Sequence, residues 1–122
     1  MKNSIRIVKI FSAYEKKMTS VTISAQNMKR AKTSMKRLYV AEFGENSLSD
    51  TEKQYTRDEL ILTYTNNLKF WNKHLPELKP GMTEFTNAKH AICSNGIEQL
   101  WKKCDEYNIR KQVEILVNIQ LP

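Results

Sequence analysis

The sequence is poor in the residues on which many chemistries depend. It has two cysteines, two histidines, three glycines and three prolines in 122 residues. Its first 41 residues contain one acidic side chain, Glu15. Cys93 and Cys104 form no C-x-x-C pair, and together with His74 and His90 they match no closed zinc module, so neither metal nor disulfide is expected. The glycines are scattered at positions 44, 81 and 96, which leaves no loop to cradle a nucleotide phosphate. Neither histidine has a serine, cysteine or carboxylate beside it in a nucleophilic arrangement. The pairs Asp58-Glu59 and Asp105-Glu106 splay about 100° apart on a helix and cannot readily share a metal or a proton. They read as solvated faces, with Glu106 placed to meet Arg110 four residues on. The expectation is a protein that is no enzyme and carries no cofactor and no metal.

Long apolar runs are missing too. Nothing approaches the roughly 20 residues that cross a bilayer. The first apolar cluster, Ile5 to Phe11, is broken by Arg6 and Lys9 and has no small-residue cleavage site. A cytoplasmic protein without membrane contact is the expectation, and a chain of 122 residues suits a single domain over 1–122.

What the sequence does have is segregated charge. The net charge is +7. Residues 1–41 hold ten basic side chains against Glu15, whereas residues 42–122 hold ten basic and twelve acidic. All of the excess therefore lies in the first third, as in the electrostatic footprint of a polyanion-binding surface.

The apolar pattern suggests where that charge is displayed. Ser4 to Ser12 reads as a strand covered on both faces, and Thr19 to Ser24 as a half-buried strand. Ala13 to Met18, with Lys16 and Lys17, forms the hairpin loop between them. Ser24 can cap a helix that runs to Phe43, with Gly44 as its terminator. In that helix Met28, Ala31, Met35, Leu38 and Tyr39 make one apolar stripe. Lys29 with Lys36, and Arg30 with Arg37, project from the opposite side as two aligned pairs with Thr33 between them. The four share a face about 10 Å long. Lys32 sits nearer the apolar edge and snorkels outward.

A second helix is expected over Ser49 to Leu75, opened by the capping box S-D-T-E of Ser49 and Glu52 and striped by Ile61, Tyr64, Leu68, Trp71 and Leu75. A hairpin turning at Asn66-Asn67 is the competing reading, because Thr and Asn are weak helix formers. Glu45 to Lys53 reads as a mobile connector, and Pro76 and Pro80-Gly81 mark a loop. A third helix spans Thr83 to Tyr107 and is kinked or split at Asn95-Gly96. Gln112 to Leu121 alternates Val113, Ile115, Val117, Ile119 and Leu121 on one face, as a strand does. The expected fold is α+β: a small antiparallel sheet, made of the N-terminal hairpin and the C-terminal strand, packed against about three helices.

The helical stripes predict burial of Trp71 and Trp101, and leave Phe11 and Tyr14 as the better candidates for stacking on bases. These features point to a small, basic, non-enzymatic nucleic-acid-binding protein, for DNA or RNA. The hairpin and the following helix would grip phosphates through Lys16, Lys17, Lys29, Arg30, Lys32, Lys36 and Arg37. The alternative is an interaction module, inhibitor or small subunit that docks on an acidic protein surface. Its hallmark would be an exposed apolar patch beside the basic face, hinted at by Val40 and Tyr14.

Overall fold

The computed structural model describes residues 4–8, 23–48, 52–78 and 83–119. In chain order these residues form strand β1 (Ile5–Val8), helix α1 (Ala25–Phe43), strand β2 (Glu52–Tyr55), and helices α2 (Arg57–His74), α3 (Glu84–Glu106) and α4 (Arg110–Asn118). Short 3-10 turns follow α1 at Glu45–Leu48 and α2 at Leu75–Glu77. The described chain is thus a four-helix assembly with one two-stranded antiparallel sheet. This corrects the α+β expectation.

The sheet does not take the expected pairing. β1 pairs with β2 in the register Ile5 to Tyr55 through Val8 to Glu52, so the whole of α1 lies between the two strands in sequence. Of the expected strand Thr19–Ser24, only Ile23 and Ser24 are described; neither is in a strand, and Ser24 instead caps α1. The loop Ala13–Met18, with Lys16 and Lys17, lies outside the described residues, as do Phe11 and Tyr14. Ile5, Ile7 and Tyr55 pack against the core from the sheet.

Helix α1 begins and ends where its sequence says. The Ser24 hydroxyl accepts from the Asn27 N–H at 3.2 Å. Gly44, at φ +94°, donates its N–H to the Val40 carbonyl at 2.7 Å. A positive φ there is cheap only for glycine. Ala31 and Met35, one turn apart, are fully buried, with Met28, Tyr39 and Phe43 partly so.

Helix α2 starts seven residues later than the Ser49 box implies. Thr56 and Glu59 form the actual capping box: the Thr56 hydroxyl accepts from the Glu59 N–H at 3.3 Å, and the Glu59 carboxylate accepts from the Thr56 N–H at 3.1 Å. Both T-R-D-E and S-D-T-E fit the same signature, but the first leads directly into the apolar Leu60 and Ile61. Glu52 is therefore in a strand, and the segment expected to be a mobile connector holds a 3-10 turn and the start of β2. The hairpin alternative over residues 60–71 fails, and the reason lies in side-chain bonding. The Thr65 hydroxyl donates to the Ile61 carbonyl at 2.7 Å, and the Asn67 amide donates to the Thr63 carbonyl at 2.8 Å. The helix thus supplies partners to the very residues that weaken it.

α2 is the centre of the molecule. Leu60, Ile61, Tyr64, Leu68, Phe70 and Trp71 are all buried, and Trp71 is 0% exposed. Tyr39 and Phe43 of α1 meet Phe70 with ring centroids at 5.4 and 5.6 Å, as edge-to-face aromatic pairs do.

Helix α3 is continuous through Asn95-Gly96 for 23 residues. Ala88, Ile92, Gly96, Leu100 and Cys104 are buried at successive steps of four, so the glycine lies on the packed seam instead of breaking the helix. α3 ends at Glu106 and is closed by Asn108, whose φ of 56° is left-handed, with the Ile109 N–H bonded to the Cys104 carbonyl at 2.9 Å. Asparagine is the residue other than glycine best suited to that position.

The C-terminal segment is helix α4, not a strand. Alternation of Val113, Ile115, Val117 and Ile119 fits a sheet face, but Ile109, Val113, Leu116 and Val117 equally make a helical stripe. The fold uses that stripe: Ile109 and Val113 are fully buried, Leu116 and Val117 are partly buried, and Ile115 is 64% exposed. No helix among the described residues is long and apolar enough to cross a membrane.

The strand reading of residues 112–119 covers Val113 and Ile115 together, whereas the helix buries Val113 and exposes Ile115. Val113→Lys places a charge in the core and should destabilise by about 3 kcal/mol or more. Ile115→Lys should change stability by no more than about 0.5 kcal/mol, as for an exposed site. Urea unfolding of both variants checks this, and equal sensitivity would restore the strand.

Candidate nucleic-acid interface

Because α1 turns Ala31 and Met35 inward, its opposite side faces solvent. Lys29, Arg30, Thr33 and Arg37 are exposed there. Lys36, expected with them, is half-buried, as is Lys32, and each of these two lysines is engaged in further contacts. The expected four-cation face therefore reduces to Lys29, Arg30 and Arg37, with Lys36 at its margin.

Helix α3 adds to this face. A cleft between α1 and α3 is lined by Lys29, Arg30, Thr33, Ser34, Arg37 and Phe85. The Arg30 guanidinium carbon lies 4.8 Å from the Phe85 ring centroid, and Lys89 Nζ lies 4.4 Å from the same centroid. Arg30 Nη1 also donates to Asn27 Oδ1 at 3.3 Å. Neither Phe85 nor Lys89 was singled out as a site residue from sequence. Phe85 falls in the third expected helix, whose apolar pattern carries no site signal, and Lys89 lies outside the basic first third. The spacing of four between them on α3 was the available signal, but it says nothing of α1.

Carboxylates are distributed unevenly. Ion pairs join Glu98 to Lys102 at 3.4 Å, Glu106 to Lys103 at 2.9 Å, and Arg110 to both Asp105 and Glu114. These lie on α3 and α4. The expected Glu106–Arg110 pair is replaced by Asp105–Arg110, because the turn at residues 107–109 interrupts the helix and with it the four-residue spacing. The Asp105 hydrogen bond to Arg110 holds its carboxyl below the ordinary value. Among the described residues no carboxylate pairs with Lys29, Arg30 or Arg37.

At the start of α1 a carboxylate does arrive. Glu84, the first residue of α3, accepts from the Ser24 backbone N–H. That bond, followed by the Ser24 and Asn27 side chains, holds its carboxyl below the ordinary value of 4.5. The same side chain thus favours two helix N-termini, where negative charge is stabilising.

Toward its C-terminal half the basic face runs into a shallow apolar depression lined by Thr33, Lys36, Arg37, Val40 and Ala41. Val40 thus takes part in the patch that the docking alternative calls for. The other candidates lie elsewhere. Trp71 is buried as expected; Trp101 is half-buried, with the Arg110 guanidinium carbon 4.8 Å from its ring centroid. Cys93 and Cys104 are buried, and burial pushes both thiols up to about 12. Cys93 donates to the Trp71 carbonyl at 3.1 Å. Among the described residues no three His, Cys, Asp or Glu side chains gather as a metal site would require.

Because the folded-state pKa of Glu84 is depressed, its contribution is present above the ordinary carboxyl range and is lost as pH falls through the folded value. Glu84→Gln should therefore lower Tm at neutral pH, and the gap from the wild type should close as pH falls well below 4.5. Melting curves at a series of pH values check this; a gap that persists undiminished near pH 2 would contradict it. The chain matches no family model, no curated protein and no solved structure.

Proposed function

We propose that this is a non-enzymatic nucleic-acid-binding protein that grips backbone phosphates with the outward face of α1. One observation carries the reading: Lys29, Arg30 and Arg37 stand exposed on one helix face with no carboxylate of the described residues set against them. Exposed charges kept apart from counter-charges hold a local positive potential, which draws a polyanion and releases its condensed counterions. Lys89 extends the potential onto α3, and Lys16, Lys17, Lys32 and Lys36 supply further cations from the same third of the sequence. A cytoplasmic setting suits the two buried, unpaired cysteines.

The depression at Val40 and Ala41 favours a second reading, in which the same face docks on an acidic protein surface. Salt weakens the charged contacts of either partner. The two separate by nuclease, which destroys a nucleic-acid partner and leaves a protein one bound.

Four to six phosphate contacts on duplex DNA should give a slope of log affinity against log salt of about −4 to −5. Changing Lys29, Arg30 and Arg37 together to Glu should abolish duplex binding in a mobility-shift titration and leave the circular dichroism spectrum unchanged. Binding that ignores salt, or survives the triple reversal, would remove the proposal. Retention of an acidic protein partner after nuclease treatment would then favour the second reading.

A further inference from the structure

Arg30 differs from the other cations of this face in being held. Its guanidinium lies over Phe85 and one of its N–H groups is bound to Asn27 Oδ1. A guanidinium over an aromatic ring spends its face on the ring and keeps its in-plane donors, of which Asn27 takes one. The remaining donors form the planar fork that matches two phosphate oxygens. Lys89 approaches the same ring from α3, and Lys29 lines the cleft from α1. Like charges drawn to one ring repel each other, and an anion seated among them relieves that repulsion.

We propose that the cleft between α1 and α3 is a clamp for one backbone phosphate, with Arg30 as the fork, Lys29 and Lys89 as flanking charges, and Phe85 as the positioning residue. This rests on the nucleic-acid reading and deepens it, since it assigns this cleft to the phosphate and not to a base. Phe85, an aromatic beside cations and so a candidate stacking platform, is half-buried and presents its ring to two of the protein's own cations. The Thr33 hydroxyl, at the middle of the face, donates to the Lys29 carbonyl at 3.1 Å. Asn27 has its amide oxygen committed to Arg30.

A phosphate contact and a base contact are told apart by sequence. Fluorescence anisotropy of the full chain with three duplexes of mixed, A·T-only and G·C-only sequence supplies the test. Phe85→Leu keeps every charge, removes the ring from under both Arg30 and Lys89, and should weaken binding about five- to thirtyfold, by the same factor on all three duplexes and with the salt slope unchanged. Arg30→Gln should reduce the magnitude of the slope by about one. Should Phe85→Leu fail to fold, Arg30→Lys keeps the charge, loses the fork and should weaken all three duplexes alike. Binding unaffected by Phe85→Leu in a folded protein, or a loss confined to one sequence class, would overturn the clamp and leave the nucleic-acid reading standing. Failure of the wild-type chain to bind any duplex would overturn both.

Discussion

Burial of α2 over more than half of its circumference is the constraint from which the rest of the structure follows. A helix that carries Leu60, Ile61, Tyr64, Leu68, Phe70 and Trp71 inward cannot be covered by a single neighbour, because those positions span far more than one helical stripe. It therefore collects α3 and α4, the two short strands and the aromatic end of α1 around it. Each of these needs only one apolar stripe. Helix α1, fixed at its aromatic end by Tyr39 and Phe43 and along its length by Ala31 and Met35, has its remaining surface left to solvent, and that surface is where the cations are.

The division of charge has the same origin. On α3 and α4 the exposed faces carry both signs at spacings of three to five, and Glu98, Asp105, Glu106 and Glu114 find basic partners. Surface pairs of this kind contribute little to stability, but they remove net potential from that side of the molecule. The one acid of α1 is Glu42, in its last turn, so the stretch from Lys29 to Arg37 has no acid of its own to neutralise it. Glu84 reaches its first turn, where it serves the helix end and leaves the cations further along uncompensated. A basic face thus stands beside a neutralised one.

How much of this could be read from the sequence depends on whether local signals agreed. For α1 they did: a serine cap, a stripe at helical spacing and a glycine terminator all fall at consistent positions, and the exposure of Lys29, Arg30 and Arg37 follows from 100° per residue. For α2 two identical capping signatures competed, and the one nearer the apolar run prevailed. β2 was illegible because Glu-Lys-Gln-Tyr has no apolar alternation; its pairing with Ile5–Val8 is a tertiary event. The last segment satisfied both periods, and docking on α2 decided between them through Ile109 and Leu116, which the strand reading left out. Gly96 broke nothing, since it is buried in step with Ala88, Ile92, Leu100 and Cys104 on one continuous helix. At the site, Phe85 and Lys89 escaped notice because they join Arg30 only across the α1–α3 packing.

The central claim is that a nucleic acid touches the protein at α1 and the adjoining part of α3. Lysine acetylation footprinting of the full chain, with and without a saturating DNA duplex and quantified by mass spectrometry, tests this most directly. The expected result is protection of Lys29 and Lys89, with Lys102, Lys103 and Lys111 modified as fast as in the free protein. Protection concentrated on the latter three, or none at all under conditions where the duplex is bound, would contradict it.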